Sequence, residues 1–339
     1  MTVIVTEATN ASAALAPESG TVVLDLLNVL WEIPAAGGDA VALTGPEDDA
    51  SLPDFSPDGR RIVCQAYTDG NFHLWLMNAD GTGRRQLTSG LVDHREPRFS
   101  PDGTRIACAA ETDGRYAIHV IDVESGEKTV WTTGTAQEAQ PFWRPDGTAI
   151  VFTSGTNDAP RVIEQVTSEG ARTTLAEVTT GRVAGPSCSP DGARLAYVHL
   201  TNTGTALVVD GRTVSDEKDV FPFAARWIGP DELLYTADGG LRRRTLREGT
   251  ARNVPFRVRV TVPEVHERPA ATRDFDATGS RPVKGVLGPA LSPDGGSVAF
   301  GALGDLWVVR RGKAPKAIVS DGYRNTDPAW LPNAVVKRS

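Results

Sequence analysis

The decapeptide FSPDGRRIVC at residues 55–64 returns almost unchanged as FSPDGTRIAC at residues 99–108. Its core of proline, aspartate and glycine recurs at residues 145–147, 190–192 and 293–295. Repetition with a period of about 40 residues is typical of proteins that stack one supersecondary unit many times, because a single unit cannot bury its apolar face alone. This repeat constrains the fold more than any other feature of the chain.

The residues after each copy of the core alternate between apolar segments and turn residues. After Gly59 come an apolar segment at 61–64, a loop at 68–71, an alternating segment at 72–77, a turn at 78–81 and a last segment at 85–88. Short segments separated by Gly, Asn and Asp are typical of β-strands joined by tight turns. The 34 glycines and 23 prolines, spread along the chain, fit many such turns. Each unit is therefore predicted to be a four-stranded sheet.

The aspartates of the repeated core are predicted to be turn residues. Proline presets the backbone φ of a tight turn, aspartate accepts hydrogen bonds from the amides just beyond it, and glycine adopts the positive φ that follows. A catalytic carboxylate needs to occur only once, whereas this aspartate recurs along the chain. We therefore assign a structural role to Asp58, Asp102, Asp146, Asp191 and Asp294.

Seven units of about 40 residues can be counted. Because each sheet has an apolar face that needs cover, radial stacking into a closed ring covers all of them. The predicted fold is all-β, a single β-propeller domain of seven four-stranded blades over residues 1–339, with six blades as the alternative. An insertion at 257–284 interrupts the period. The predicted blades are 20–44 together with 327–333, 53–90, 97–134, 141–177, 186–219, 221–256 and 287–322.

The two ends of the chain compete for one place in this ring. Residues 327–333 look like an inner strand with its turn, but too few residues follow them to form another blade. They are therefore predicted to complete the first blade, so that closure is shared between the N- and C-terminal segments. Residues 12–20 are the alternative inner strand, and we prefer the C-terminal segment because it matches the repeat better.

Three longer stretches carry a family resemblance: GTVVLDLLNVLWEIPAAGGDAVALT at 20–44, RDFDATGSRPVKG at 273–285 and LSPDGGSVAFGALGDLWVV at 291–309. With the repeats, they resemble the TolB-like, or PD40, β-propellers of the WD40 type, and more narrowly the propeller portion of bacterial proteins in which such repeats precede an amidohydrolase domain. The resemblance implies the propeller fold. It does not imply amidohydrolase chemistry, because the sequence has no His-x-His motif and its five histidines are scattered over separate units.

Charge and cysteine content bear on partners and cofactors. The net charge is −8 and no stripe of basic and aromatic residues occurs, which argues against a nucleic-acid partner. No stretch approaches the ~18 apolar residues that cross a bilayer, and the opening residues do not resemble an export signal, so a cytoplasmic monomer without membrane attachment is expected. The three cysteines have no metal-ligand spacing, so neither a metal nor a cofactor is expected.

The candidate functional residues lie in the segments that lead into the inner strands. These segments meet at one mouth of a propeller's channel, and they differ from unit to unit while the strands repeat. His94 and Glu96 are candidate catalytic residues, because imidazole exchanges protons near neutrality and a carboxylate can serve as a base. A solvated loop is the alternative for this cluster. The candidate ligand-binding residues are Arg95, Glu138, Gln140, Arg182, Lys284, Tyr323, Arg324 and Asp327.

The favoured function is the binding of a small organic molecule at the polar mouth of the channel. A catalytic form of this hypothesis adds metal-independent acid–base chemistry of the lyase, isomerase or cyclase type at the same mouth. A non-catalytic platform for protein interaction and an auxiliary propeller beside a separate hydrolase are the alternatives. The insertion is predicted either to cover the channel as a lid, with Arg273, Asp274, Asp276, Arg281 and Lys284, or to tie neighbouring blades together through Arg–Asp pairs.

Overall fold

The structure is a computed structural model that describes residues 2–17, 20–156, 159–261 and 285–331, together with the backbone of 336–337. Within these ranges nearly all regular structure is β-strand, and the helical part is one 3-10 turn at Pro46–Asp48. Contacts along the chain divide it into two compact units, Met1–Glu264 and Val265–Ser339. The predicted all-β class is confirmed.

Blade 1 of the first unit is built from the N-terminal strands. The strands of this region are β1 (Thr2–Val5), β2 (Ala13–Leu15), β3 (Thr21–Leu26), β4 (Val29–Pro34), β5 (Gly38–Asp39) and β6 (Val41–Ala42). Of these, β2, β3, β4 and β6 are hydrogen-bonded neighbours in that order, and each adjacent pair is antiparallel.

Blades 2, 3 and 4 repeat this order with one difference, since their four strands follow one another directly along the chain. Blade 2 contains β7 (Ala50–Phe55), β8 (Arg61–Thr68), β9 (Asn71–Asn78) and β10 (Arg85–Gln86). Blade 3 contains β11 (His94–Phe99), β12 (Arg105–Thr112), β13 (Arg115–Asp122) and β14 (Lys128–Val130). Blade 4 contains β15 (Gln137–Trp143), β16 (Ala149–Thr156), β17 (Ala159–Thr167) and β18 (Arg172–Glu177).

Blades 5 and 6 complete the first unit. Blade 5 contains β19 (Arg182–Cys188), β20 (Leu195–Thr201), β21 (Gly204–Val209) and β22 (Arg212–Thr213). Blade 6 contains β23 (Arg226–Gly229), β24 (Glu232–Ala237), β25 (Gly240–Thr245) and β26 (Thr250–Val254). A further strand, β27 (Phe256–Thr261), pairs antiparallel with β1 and parallel with β5.

The second unit contains a seventh four-stranded sheet with the same strand order. A short pair of strands follows it, and the indole Nε1 of Trp330 donates to the carbonyl of Ala290 at 2.9 Å. The strands are β28 (Leu287–Leu291), β29 (Ser297–Ala302), β30 (Asp305–Arg310), β31 (Lys316–Val319), β32 (Ala329–Trp330) and β33 (Val336–Lys337).

The turns between the first two strands of each repeat have the predicted geometry. In the turn after β7, Ser56 Oγ donates to Asp58 Oδ1 at 2.6 Å, and the same oxygen accepts from the amide of Arg60 at 3.1 Å. Gly59 has a φ of 68°, which disfavours any residue with a side chain. Asp102, Asp146, Asp191 and Asp294 accept equivalent amide hydrogen bonds two residues ahead. The structural role assigned to these aspartates is confirmed.

Apolar side chains between neighbouring sheets hold the first unit together. Six buried clusters occur in the described residues, each joining two successive blades, and one of them joins blade 6 to blade 1. In this last cluster Val22 and Leu24 of β3 lie with Leu234 of β24 and Leu241 of β25, all 2% exposed or less. Sheets with a wide apolar face are stable only when that face is covered, so the six blades close on themselves.

The predicted closure of blade 1 by residues 327–333 is wrong. β2 occupies the inner position beside β3, as the N-terminal alternative required. Asp25 of β3 explains this choice, because its buried carboxylate accepts from both the amide and the hydroxyl of Ser12. Arg226 of blade 6 also donates to the carbonyl of Ala13 at 2.9 Å.

The number of blades and the role of the insertion were also predicted from the sequence. The described residues form seven four-stranded sheets, six in the ring of the first unit and one in the second unit. The first residues of the insertion connect two strands, because Arg257 of β27 forms an ion pair with Asp39 of β5 at 2.8 Å. The residues proposed to form a lid, at 273–284, lie outside the described residues.

Candidate functional site

The inner strands of blades 2 to 5 each contain a bulge at the same place. The register against the second strand shifts between Ser51 and Asp54 in β7, and equivalent shifts occur in β11, β15 and β19. One residue in each bulge has a positive φ, a conformation that costs energy in residues other than glycine. These residues are Leu52, Glu96, Gln140 and Gly185, with φ values of 51°, 58°, 55° and 53°.

The bulges join neighbouring blades by hydrogen bonds that we call the amide belt. The freed amides of Leu52, Glu96, Gln140 and Gly185 each donate to a side chain of the preceding blade, at 2.6–2.9 Å. A buried amide outside the strand ladder needs such a partner. The acceptors are Asp25, Gln65, Glu96 and Gln140, in the same order.

Gln140 and Gly185, the last acceptor and the last donor of the belt, also contact the segment that leads into blade 6. Gln140 Nε2 donates to the carbonyl of Pro222 at 3.0 Å. A Cβ atom on Gly185 would lie 2.3 Å from the carbonyl carbon of Phe223, so only glycine permits this approach. The belt therefore links blades 1 to 5 and reaches the segment that leads into blade 6.

Glu96 and Gln140, two predicted site residues, are thus structural members of the belt. Burial raises the pKa of Glu96, while the hydrogen bond from the Gln140 amide and the charges of Arg95 and Arg98 oppose that shift. Both side chains still reach one cavity of about 320 Å³, which Arg182 also lines. We call it the loop-side cavity. The structure brings these three predicted residues together.

The structure does not bring His94 to Glu96. His94 is only 2% exposed, its Nδ1 lies 3.2 Å from the carbonyl oxygen of Val92, and its Nε2 lies 3.2 Å from Lys128 Nζ. Burial, and next the charge of Lys128, lower the pKa of His94 to about 4. The His94 side chain does not line the loop-side cavity. The catalytic assignment of this pair remains a sequence prediction for which the geometry provides no shared site.

Other predicted residues have structural partners or lie elsewhere. The guanidinium carbon of Arg95 lies 4.6 Å from the centre of the Phe72 ring. Glu138 is 1% exposed and pairs with Arg172 at 2.7 Å. Tyr323, Arg324 and Asp327 are exposed residues of the second unit, and Lys284 lies outside the described residues.

The larger cavity of the first unit lies at the opposite end of the ring, beside the repeated turns. Its volume is about 740 Å³, and all six blades contribute to its lining. We call it the PDG-side cavity. Its walls are mainly apolar and include the turn prolines Pro57, Pro101, Pro145 and Pro190, with Phe55, Phe99, Phe142, Trp143 and Trp227.

Four charged residues line the cavity among these apolar walls, and one of them, Arg243, pairs with Glu232. The other three are related by position. Asp54, Arg98 and Arg226 occupy the same place in three blades, one residue before an aromatic residue that pairs with the second strand. Arg226 and Asp54 form an ion pair at 2.8 Å. Arg226 also donates to the carbonyls of Ala13 and Pro53, so its guanidinium ties blade 6 to blades 1 and 2.

Arg98 has no ion-pair partner among the residues that the structure describes. It is 8% exposed, and its hydrogen bond within the described chain is from Nη1 to the carbonyl of the adjacent Pro97, at 3.0 Å. A guanidinium has five N–H donors, so most of the donors of Arg98 lack a protein acceptor in the described residues. Burial, and next the charge of Arg226, lower the pKa of Arg98 to about 10, so the side chain remains charged at neutral pH.

The sequence reasoning missed Arg98, Asp54 and Arg226. A signal was present, because the residue before the repeated Phe-Ser-Pro-Asp-Gly motif is Asp in one copy and Arg in the next. A charged residue at that position would be expensive to bury unless it had a partner or a ligand. The sequence alone does not show that the three positions meet at one cavity.

The geometry of the first unit defines the class of protein. A closed ring of four-stranded antiparallel sheets around a central cavity defines the β-propeller class. Residues 53–221 match the family described as TolB beta propeller domain, PD40. Residues 53–221 are therefore TolB-like propeller repeats, as the sequence predicted. No curated protein matches the sequence.

Solved structures show the same fold at low identity. A putative TolB from Agrobacterium tumefaciens is 18% identical with a TM-score of 0.51, and the match covers 74% of this chain and 80% of that one. TolB from Acinetobacter baumannii is 18% identical with a TM-score of 0.56, covering 74% and 65%. The gluconolactonase XC5397 from Xanthomonas campestris is 12% identical with a TM-score of 0.54, covering 71% and 88%. These likenesses concern the fold alone.

The described residues lack both a metal-binding cluster and a membrane-spanning helix. They contain no group of three or more His, Cys, Asp or Glu side chains arranged to hold a metal ion. None of their helical segments has the length and apolar character needed to cross a membrane.

Proposed function

We propose that this TolB-like propeller binds a small organic molecule in the PDG-side cavity. The observation that supports this function is the cavity itself, with a volume of about 740 Å³ and walls from all six blades of the first unit. Small-molecule sites typically measure about 300–1,000 Å³ and combine apolar walls with a few polar groups. The PDG-side cavity has both properties.

This proposal moves the site from the mouth that the sequence favoured to the opposite end of the ring. The loop-side cavity is smaller, at about 320 Å³, and Glu96 and Gln140 are already engaged in the amide belt there. Acid–base catalysis by His94 and Glu96 is not part of the proposal, because the two side chains belong to separate hydrogen-bond networks. The proposed activity is binding.

A cavity-filling variant tests the proposal. Leu15 lines the PDG-side cavity, so Leu15→Trp places a larger side chain in it. A panel of small aromatic compounds is screened by saturation-transfer NMR against the protein and this variant. Compounds that bind in the cavity should lose about tenfold or more in affinity, which corresponds to ~1.4 kcal/mol.

A matched substitution in the same sheet controls for general effects. Leu27 lies in the turn between β3 and β4, is 62% exposed and does not line the cavity, so Leu27→Trp should leave binding unchanged. Thermal melting confirms that both variants are folded. Equal binding by the protein and Leu15→Trp would contradict the proposal, and so would a panel without binders.

A further inference from the structure

We propose that the ligand of the PDG-side cavity is a monovalent organic anion, an aromatic or similarly apolar carboxylate whose carboxyl group pairs with Arg98. This inference rests on the proposed function, because it names the chemical class that the same cavity accepts. It is supported by the state of Arg98, by the charges around it and by the walls of the cavity.

The burial of Arg98 is the first support. The residue is 8% exposed and lines the PDG-side cavity, and within the described chain its guanidinium makes one hydrogen bond, to the carbonyl of the adjacent Pro97. Burying a guanidinium without an ion-pair partner destabilises a protein. A charge-assisted hydrogen bond between a buried guanidinium and a carboxylate is, in contrast, a strong interaction. A ligand carboxylate would accept two parallel N–H bonds from the guanidinium and supply the missing partner.

The other ionic groups near Arg98 already have partners. Asp54 uses Oδ1 for Arg226 and Oδ2 for the amide of Phe99 at 2.8 Å. Asp25 accepts from Ser12 and Leu52, and Glu96 accepts from Gln140. Arg98 forms no ion pair with any of these three carboxylates in the described part of the chain. Arg226 pairs with Asp54 and Arg243 pairs with Glu232, so Arg98 is the arginine of the cavity lining for which the described residues provide no ion pair.

The cavity walls indicate which kind of molecular frame would carry the carboxylate. Phe55, Phe99, Phe142 and Trp143 line the cavity together with the four turn prolines. Such surfaces favour a flat apolar body, while a polar body such as a sugar would find few hydrogen-bond partners on them. The charge and the walls together favour one carboxylate on an apolar frame over a highly charged or strongly polar molecule.

The experiment compares three naphthalene probes that differ in one polar group, two of them of the same shape. Titration calorimetry measures 2-naphthoate, the neutral 2-naphthamide and 2-naphthylphosphonate against the full chain and against Arg98→Met. The protein should bind naphthoate about 10–100-fold more tightly than naphthamide, because a hydrogen bond to a charged group contributes about 1.5–3 kcal/mol. Arg98→Met should remove that preference while it keeps the binding of naphthamide.

Controls separate a ligand-binding role from a structural one. Arg105 lies on β12 of the same blade, with its guanidinium carbon 4.8 Å from the centre of the Trp143 ring and outside the cavity lining, so Arg105→Met should keep the preference for naphthoate. Arg98→Met should also melt at a higher temperature than the ligand-free protein, because it removes an unpaired buried charge. Arg98→Gln provides a second, polar variant with the same expected loss of preference.

The outcomes distinguish this inference from the proposed function. Equal binding of naphthoate and naphthamide, both sensitive to Leu15→Trp, would overturn the anion assignment and leave the small-molecule cavity intact. Tighter binding of the phosphonate than of the carboxylate would overturn the carboxylate class. A preference for naphthoate that survives both Arg98 variants would overturn the role of Arg98. No binding of any probe at millimolar concentration would overturn both proposals.

Discussion

At the scale of single residues, burial determines which charges this protein tolerates. His94 is 2% exposed and faces Lys128, His73 and His119, all of which disfavour a positive charge on its ring. Its pKa therefore falls from 6.5 to about 4, with burial as the largest cause. A histidine of this kind affects the pH dependence of stability whether or not it has a role in function.

His94 should make the protein less stable in mild acid. Below pH 6.5 the unfolded chain takes up a proton at this histidine, whereas the folded protein does so only near pH 4. The contribution of His94 to the free energy of unfolding should fall by about 2–3 kcal/mol as the pH falls through this window, and stay constant below it. Urea denaturation of the protein and of His94→Gln at pH 7, 6, 5 and 4 measures the difference.

The comparison with His94→Gln is needed because Asp25 acts in the opposite direction. Burial raises the pKa of Asp25 from 3.8 to about 6, so the folded protein binds this proton first and gains stability as the pH falls from 6 towards 4. Asp25 is present in both proteins and cancels in the difference. Parallel curves for the two proteins from pH 7 to pH 4 would show that His94 titrates normally.

At the scale of strands, the bulges and the amide belt convert a repeated sheet into a ring with a defined centre. Each bulge frees one backbone amide from the hydrogen bonds of its own sheet. That amide then donates to a side chain of the blade that precedes it in the chain. The result is a set of contacts between blades that are polar and directional, whereas the six apolar clusters provide most of the buried area. Residues that look catalytic in the sequence can therefore be structural parts of such a belt.

Gln140→Leu should destabilise the first unit. The variant leaves the amide of Gly185 and the carbonyl of Pro222 without their partner, and a buried group left unsatisfied costs about 1–3 kcal/mol. Gln86→Leu on the exposed strand β10 is the matched control, and its effect should stay within about 0.5 kcal/mol. Chemical denaturation measures both, and equal stabilities of the two variants would argue against the belt.

At the scale of the whole molecule, the first unit has all the contacts of a closed ring. The six apolar clusters lie entirely within residues 8–258, and the cluster that joins blade 6 to blade 1 uses the N-terminal segment. The place that the C-terminal residues were predicted to occupy is filled by β2. Closure therefore depends on the beginning of the chain.

A chain ending at Glu264 should fold by itself. It should keep a β-rich far-ultraviolet spectrum and melt cooperatively, because no blade of the ring loses a strand. Removal of residues 1–17 from that chain should abolish the cooperative melt, since it deletes β2, the Ser12 partner of Asp25 and the Ala13 carbonyl bound by Arg226. A folded truncated ring without β2, or an unfolded chain 1–264, would refute this account.

The sequence by itself determined the repeated unit of this protein. The four short strands, the turn after the inner strand and the structural role of Asp58 and its equivalents depend on interactions within a few residues, so a local pattern predicts them. The family resemblance rested on the same repeats and was confirmed over residues 53–221.

The tertiary structure alone decided how the repeats close and where the charges meet. β2 and residues 327–333 both have the pattern of an inner strand, and the contacts of Asp25 with Ser12 and of Arg226 with the Ala13 carbonyl select β2. Glu96 lies in a belt, and Arg98 lies unpaired at a cavity, because of side chains that are distant in sequence and belong to other blades. Contacts of this kind depend on the relative position of whole sheets, which a repeated local pattern cannot specify.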